Sequence, residues 1–186
     1  MKALVFSLLL AFTGVSLAGT ARADDCLGHT VHRVQAPGAK RGVELRRNDQ
    51  RQWEARVTAP GAGPGAWQPL PRLRTHAHVA VVASEATTRF VVVDLSGDTD
   101  FADRVLLFDV RDTRVNLVAA FGLESLMTPV ELVMVSRSIS HLHWLAHAPG
   151  KLSIRLAPSQ TALELDLVSG RTAMFAFGPD AIKSPQ

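Results

Sequence analysis

The chain has 186 residues, 47% of them apolar and 20% charged, with a single cysteine and no tyrosine. That length bounds it to about one domain with room for a proper core, and a lone Cys26 excludes an internal disulfide. The formal charge of +3 argues for a polyanion partner only until the first 23 residues are set aside, because they carry two cations and no acid.

Those residues read as a secretory signal helix. Met1-Lys2 gives a positive start, Ala3 to Ala18 is apolar apart from Ser7, Thr13, Gly14 and Ser16, and Ala21-Arg22-Ala23 offers the small-x-small pattern of a cleavage site. The run is too short and wrongly flanked to span a bilayer. Cleavage after Ala23 places residues 24–186 in the periplasm as a single domain. Removing Lys2 and Arg22 from the 20 basic side chains leaves 18 against 17 acidic, so the exported chain is near neutral and has no electrostatic case for nucleic acid. Asp25 precedes Cys26, where lipoprotein processing needs a small residue, so no stable membrane anchor is expected. As a nucleophile Cys26 has only His29 nearby to lower its pKa.

Beyond the leader, a period of two dominates. Val43 and Leu45 alternate with Glu44 and Arg46, and after Asn48-Asp49-Gln50 the residues Trp53, Ala55 and Val57 alternate with Glu54, Arg56 and Thr58. This is a hairpin with one buried face. Residues 59–72, with four prolines and three glycines, form an irregular connection. Strands follow at His76–Ala83, Thr88–Asp94, Arg104–Val110, Arg114–Phe121, Val130–Val135, His141–His147, Lys151–Ala157, Ala162–Val168 and Thr172–Phe177. Their separators are Ser84-Glu85-Ala86, Arg111-Asp112-Thr113, Ala148-Pro149-Gly150, Pro158-Ser159-Gln160 and Ser169-Gly170. Gly122 to Met127 allows one helical turn at most.

The domain is therefore all-β, built of antiparallel meanders. Phe108-Asp109-Val110, a turn and Arg114–Phe121 parallel Leu165-Asp166-Leu167, a turn with Gly170 and Thr172–Phe177. A strand ending in Asp, a tight turn and a last strand resemble the third and fourth strands of a WD40-type propeller blade. His143-Trp144-Leu145 with Ala148-Pro149-Gly150 resembles a first blade strand and its turn. Blades of about 40–45 residues cannot close a ring in this length. Two packed blade-like sheets, an open half-propeller or sandwich, are expected beside the N-terminal hairpin.

Histidine is the most suggestive residue type for chemistry. His76-Ala77-His78 and His141-Leu142-His143 fall on expected strands, where each pair shares a face. With His147 they could supply a zinc or copper site if the strands adjoin, although no carboxylate stands at a ligand spacing. Asp94-Leu95-Ser96-Gly97-Asp98-Thr99-Asp100 lacks the spacing and closing Glu of a calcium loop, and reads as a solvated hairpin connection. No Gly-x-Ser-x-Gly elbow and no phosphate-cradling Gly loop is present.

Two loops remain, Phe121 to Met127 and Ser136 to Ser140. Each combines small hydroxyl side chains with an exposed-looking Leu, Met or Ile, the composition of a contact surface. The contact candidates are Leu123, Glu124 and Ser125 in the first, and Arg137, Ser138 and Ser140 in the second.

The leader, the length, the missing disulfide and the blade-like β-body together resemble the periplasmic immunity proteins that protect bacteria from type VI secreted cell-wall amidases. The resemblance implies no cofactor and no catalysis. It implies an inhibitor that inserts a serine-bearing loop into the Cys-His groove of a peptidoglycan amidase, with Ser125 or Ser138 as the inserted residue. Three other readings stand beside it: a periplasmic zinc- or copper-binding protein using His76, His78, His141 and His143; a wall-acting enzyme with acids from Asp94 to Asp112; and a generic envelope scaffold.

Overall fold

A computed structural model describes residues 31–35, 40–59, 61–77, 79–83, 89–97, 100–147, 153–157 and 162–176. The leader with its Ala23 cleavage point, Cys26, His78, and the turns expected at Ser84–Ala86, Ala148–Gly150 and Pro158–Gln160 lie outside these residues, as do Asp98 and Thr99.

The described chain is an antiparallel all-β protein of open, unclosed sheets. The expected hairpin is β2 (Gly42–Arg47) against β3 (Trp53–Thr58), in register from Gly42↔Thr58 to Arg47↔Trp53. Its turn is held by the Asn48 carboxamide oxygen, which accepts from the Gln50 and Gln52 amides at 3.0 and 2.9 Å. Two short strands widen it to four: β1 (His32–Val34) beside β2, and β4 (Gln68–Pro69) beside β3. β4 contains a proline, which edge strands tolerate because one side of the ladder is open.

The second sheet runs in sequence order through β5 (Val79–Ala83), β6 (Arg89–Asp94), β7 (Val105–Arg111) and β8 (Arg114–Phe121). β6 and β7 are apolar almost without interruption because both faces of this sheet are covered. Phe90, Val92, Leu106, Phe108 and Val110 pack on Val43, Leu45, Trp53, Ala55 and Val57 of the first sheet. Val91, Val93, Val105 and Leu107 face the other way, onto Trp144, Leu163, Leu165 and Leu167. The N-terminal hairpin, expected beside two packed sheets, is thus the centre of a layer of its own in the stack.

The last sheet is β11 (Ile154–Leu156), β12 (Ala162–Asp166) and β13 (Thr172–Ala176). The segment at Trp144 is not the separate first strand of a blade. The Asp166 amide donates to Ser153 O at 2.9 Å while its carbonyl accepts from the Ala146 amide at 2.8 Å. NH and CO of one strand residue point the same way, so Trp144–Ala146 and β11 share one side of β12.

One expected strand is a helix. Val130–Val135 is an apolar run broken only by Glu131, yet Pro129–Val133 forms α1. Thr128 caps it: its hydroxyl accepts from the Glu131 amide at 3.3 Å, and the Glu131 carboxylate accepts from the Thr128 amide at 2.8 Å. Pro129 begins the first turn, where its missing N–H costs nothing. Ahead of it Leu123–Ser125 makes the single helical turn expected there, in 3-10 form. The hairpin of β9 (Ser136–Arg137) and β10 (Leu142–His143) follows.

Both ends of the stack are charged. On the first sheet Arg33 and Arg56 pair with Glu44 at 2.8 and 2.6 Å, Arg46 pairs with Glu54 at 3.2 Å, and the Trp67 ring lies 4.0 and 4.4 Å from the Arg46 and Arg56 guanidinium carbons. On the last sheet Arg155 pairs with both Glu164 and Asp166 at 2.7 Å. Such ladders satisfy the outer faces without a further layer. No helix among the described residues is long and apolar enough to cross a membrane.

Candidate functional site

The two contact loops differ in what they expose. In the first, Leu123 is fully buried and Leu126 and Met127 are buried with it, all within the core between the second and last sheets. The expectation that this loop presents an apolar tip is therefore corrected: the 3-10 turn rolls its leucines inward. Glu124 and Ser125 remain exposed, but the Ser125 hydroxyl donates to Gly122 O at 2.7 Å, closing its own turn.

The second loop keeps its tip outside. β9 and β10 pair through Arg137↔Leu142 and Ser136↔His143, leaving Ser138 to His141 as the connection. The Ser138 amide donates to His141 O at 2.8 Å, and the Ser138 hydroxyl accepts from the His141 amide at 3.0 Å. Ser140 Oγ lies 2.8 Å from His141 Nδ1. With both flanks tied, Ile139 projects with a relative exposure of 105%, beside exposed Arg137 and Ser138 and half-exposed Ser140.

The segment just before it is apolar too. On α1, Val130 and Val133 are 76% and 86% exposed, and Met134 at its C-terminal end is 50% exposed. Positions i, i+3 and i+4 share a helix face, so these side chains form one stripe on the helix that precedes the hairpin in the chain. Sequence reasoning missed the stripe because it placed a half-buried strand there. Thr128-Pro129 followed by Glu131 is the helix-start signal that could have revealed it.

α1 is fastened to the last sheet by a forked ion pair. Arg171 Nε and Nη2 donate to the Glu131 carboxylate oxygens at 2.7 Å each, Nη2 also donates to Leu126 O at 2.7 Å, and the Ser169 hydroxyl donates to Glu131 Oε1 at 2.7 Å. Arg171 above all, then the Thr128 amide and Ser169, hold the Glu131 carboxyl well below the usual carboxylate range.

Of the two histidine pairs, His141 and His143 share a face as expected, with stacked rings, whereas the first pair is not carried by a strand at His76. His76 sits in a turn ahead of β5 rather than on it, and His78 lies outside the described residues. The His141 and His143 rings stand 6.3 Å apart, with His143 exposed. No group of three or more His, Cys, Asp or Glu side chains with metal-binding geometry occurs among the described residues. His32, not singled out in the sequence, packs against Trp53, and burial followed by the Arg47 charge lowers its pKa.

The acidic loop also differs from a solvated connection at its root. Asp94 is 1% exposed, with its Oδ2 3.6 Å from Arg74 Nη1 and 3.8 Å from Arg104 Nη1. Two guanidiniums replace the water an exposed carboxylate would keep. Asp100, by contrast, is exposed and pairs with Arg74 at 3.0 Å.

Fold and site together define a stacked antiparallel β-protein in which four exposed large apolar side chains fall on one short helix and the hairpin that follows it, with Met174 of β13 and Val31 exposed elsewhere. No protein-family model, no curated protein and no solved structure matches the chain.

Proposed function

We propose that the chain is an exported inhibitor, an immunity protein that binds a secreted cell-wall amidase and closes its active-site cleft with the Ser138–His141 connection. The observation that carries this reading is Ile139, wholly exposed at the tip of a turn tied on both flanks. An isolated exposed apolar residue needs no explanation, but Ile139 follows Val130, Val133 and Met134, three more exposed apolar side chains on the helix just before it in the chain, and apolar exposure so gathered suits a partner surface.

The chemistry of the tip suits a cleft. Ile139 supplies apolar volume, the Ser138 and Ser140 hydroxyls, each already bonded to His141, keep a lone pair to accept from a catalytic imidazole N–H, and Arg137 stands at the rim. Ser138 is favoured over Ser125 as the inserted serine because it flanks an exposed apolar tip, whereas Ser125 stands beside buried leucines. Inhibition of this kind works by filling and excluding, and needs a rigid shape rather than a reactive group.

The test is affinity capture from an envelope extract, followed by turnover of purified peptidoglycan by the captured amidase. The wild-type chain should suppress turnover, and Ile139→Asp should weaken that suppression by about tenfold or more. An amidase unaffected by the wild-type chain refutes the function. Equal suppression by Ile139→Asp refutes the assignment of the tip.

A further inference from the structure

β6 does not end its structural work at Asp94. The chain continues as Leu95–Gly97, and the hairpin is paired to this continuation: the Leu142 amide donates to Leu95 O at 2.9 Å, the Gly97 amide donates to Ser140 O at 3.0 Å, and Ser96 lies opposite His141 in an antiparallel bridge. Ser96 is thus the non-hydrogen-bonded member of that bridge, and its own NH and CO point away from the hairpin.

They point onto buried charge. The Ser96 amide donates to Asp94 Oδ1 at 2.8 Å. Arg104 Nη1 donates to Ser96 O at 2.7 Å and to Ser96 Oγ at 3.2 Å. The same guanidinium, 0% exposed, uses Nε and Nη2 on Asp100 O and stands 3.8 Å from Asp94 Oδ2. One planar fork therefore grips both ends of the loop and the strand segment that carries the hairpin. A lysine ammonium cannot reproduce that grip, having a point charge and no fixed fork.

Gly97 completes the contact by having no side chain. A Cβ there would lie 2.9 Å from His141 N and 2.9 Å from Ser138 O, both backbone atoms of the tip. Real Cβ atoms do not approach so closely, so any other residue pushes the turn off its support.

We propose that Arg104 and Gly97 are positioning residues for the docking hairpin, holding Ser138–Leu142 in its binding conformation before a partner arrives. The inference rests on the reading of this hairpin as the docking element. A turn fixed in advance binds without the ordering cost that a loose loop bears on association.

The test needs no partner. Amide hydrogen exchange is measured on the whole exported chain as wild type, Arg104→Lys and Gly97→Ala. Exchange at the Gly97, Ser138 and Leu142 amides should quicken by about tenfold or more in at least one variant, while β2–β3 and β12–β13 change by less than about twofold. Unchanged hairpin exchange in both variants overturns the proposal. Equal acceleration throughout the chain, or loss of folding in both, overturns it as well, because the two residues then merely hold up the fold. Ile139→Asp separates this result from the docking reading: it leaves hairpin exchange at wild-type rates whether or not it abolishes binding.

Discussion

Leu107 and Phe108 are neighbours on β7 that point into different cores, and truncating each in turn measures whether the stack unfolds as one body. Phe108 is fully buried against the first sheet and stacks on Phe90 with ring centres 5.0 Å apart and planes 13° apart. Phe108→Ala removes the transfer energy of the ring, leaves a cavity and loses the aromatic pair, a cost of about 3–5 kcal/mol. Leu107→Ala, facing Leu163 and Leu165, costs about 2–5 kcal/mol. Either figure is a large share of the roughly 5–15 kcal/mol that holds a domain folded. Each loss lowers the thermal midpoint by about 2–4 °C per kcal/mol in a chain of this size. The assay is urea unfolding followed by tryptophan emission, because Trp53 reports the first core and Trp144 the second. In a Trp53-only and a Trp144-only background, both substitutions should shift both reporters equally. A Phe108→Ala variant that moves the Trp53 transition and leaves the Trp144 transition in place refutes the single cooperative stack. A cost below about 1 kcal/mol in either variant refutes the burial of β7 on both faces.

Three further outcomes follow from particular side chains. Ile139→Asp should change the urea midpoint by no more than about 0.5 kcal/mol in stability, because the side chain is wholly exposed, so lost inhibition in that variant reports binding and not folding. The Glu131 carboxyl is depressed below its ordinary value of 4.5, so its contribution is fully present above that value and is lost as pH falls toward the folded-state pKa. Wild type and Glu131→Gln should therefore differ most near neutrality and converge in acid, and a stability gap independent of pH refutes the pairing with Arg171. His32 is also depressed, by burial and then by Arg47, from an ordinary value of 6.5. Its neutral form belongs to the folded state, so the stability it contributes is present above 6.5 and is lost as pH falls through the lower folded value. His32→Phe should flatten the decline of the unfolding midpoint below about pH 6.5, and an unchanged slope refutes the assignment.

The sheets were legible where polarity and geometry share a period. Val43 to Val57 spells the first hairpin, and β8 falls at Arg114–Phe121 as its pattern requires. The widening of the first sheet to four strands was not legible, because β1 and β4 are only three and two residues long and no period shows in so few positions. α1 was misread because Val130 to Val135 is a short apolar run that suits a strand as well as a helix, and the decisive information was the cap at Thr128 rather than the period. The contact loops had the same apparent composition, and only packing separates them: Leu123 turns inward and Ile139 outward.

The placement of the hairpin follows from how the stack ends. A sheet buried on both faces, such as β5–β8, has only its edges and strand ends left to carry a site. The two outermost faces are occupied by ion pairs of Glu44, Glu54, Glu164 and Asp166, and a partner docking there would have to break or bury them at a desolvation cost. The continuation of β6 past Asp94 is different. It lies in the middle layer, is anchored by a buried guanidinium, and presents its paired hairpin outward with an isoleucine and no carboxylate between Ser136 and His143. With a rigid support below and an apolar tip flanked by Arg137 above, the association proposed for the hairpin would bury no ion pair, whereas docking on either end of the stack would.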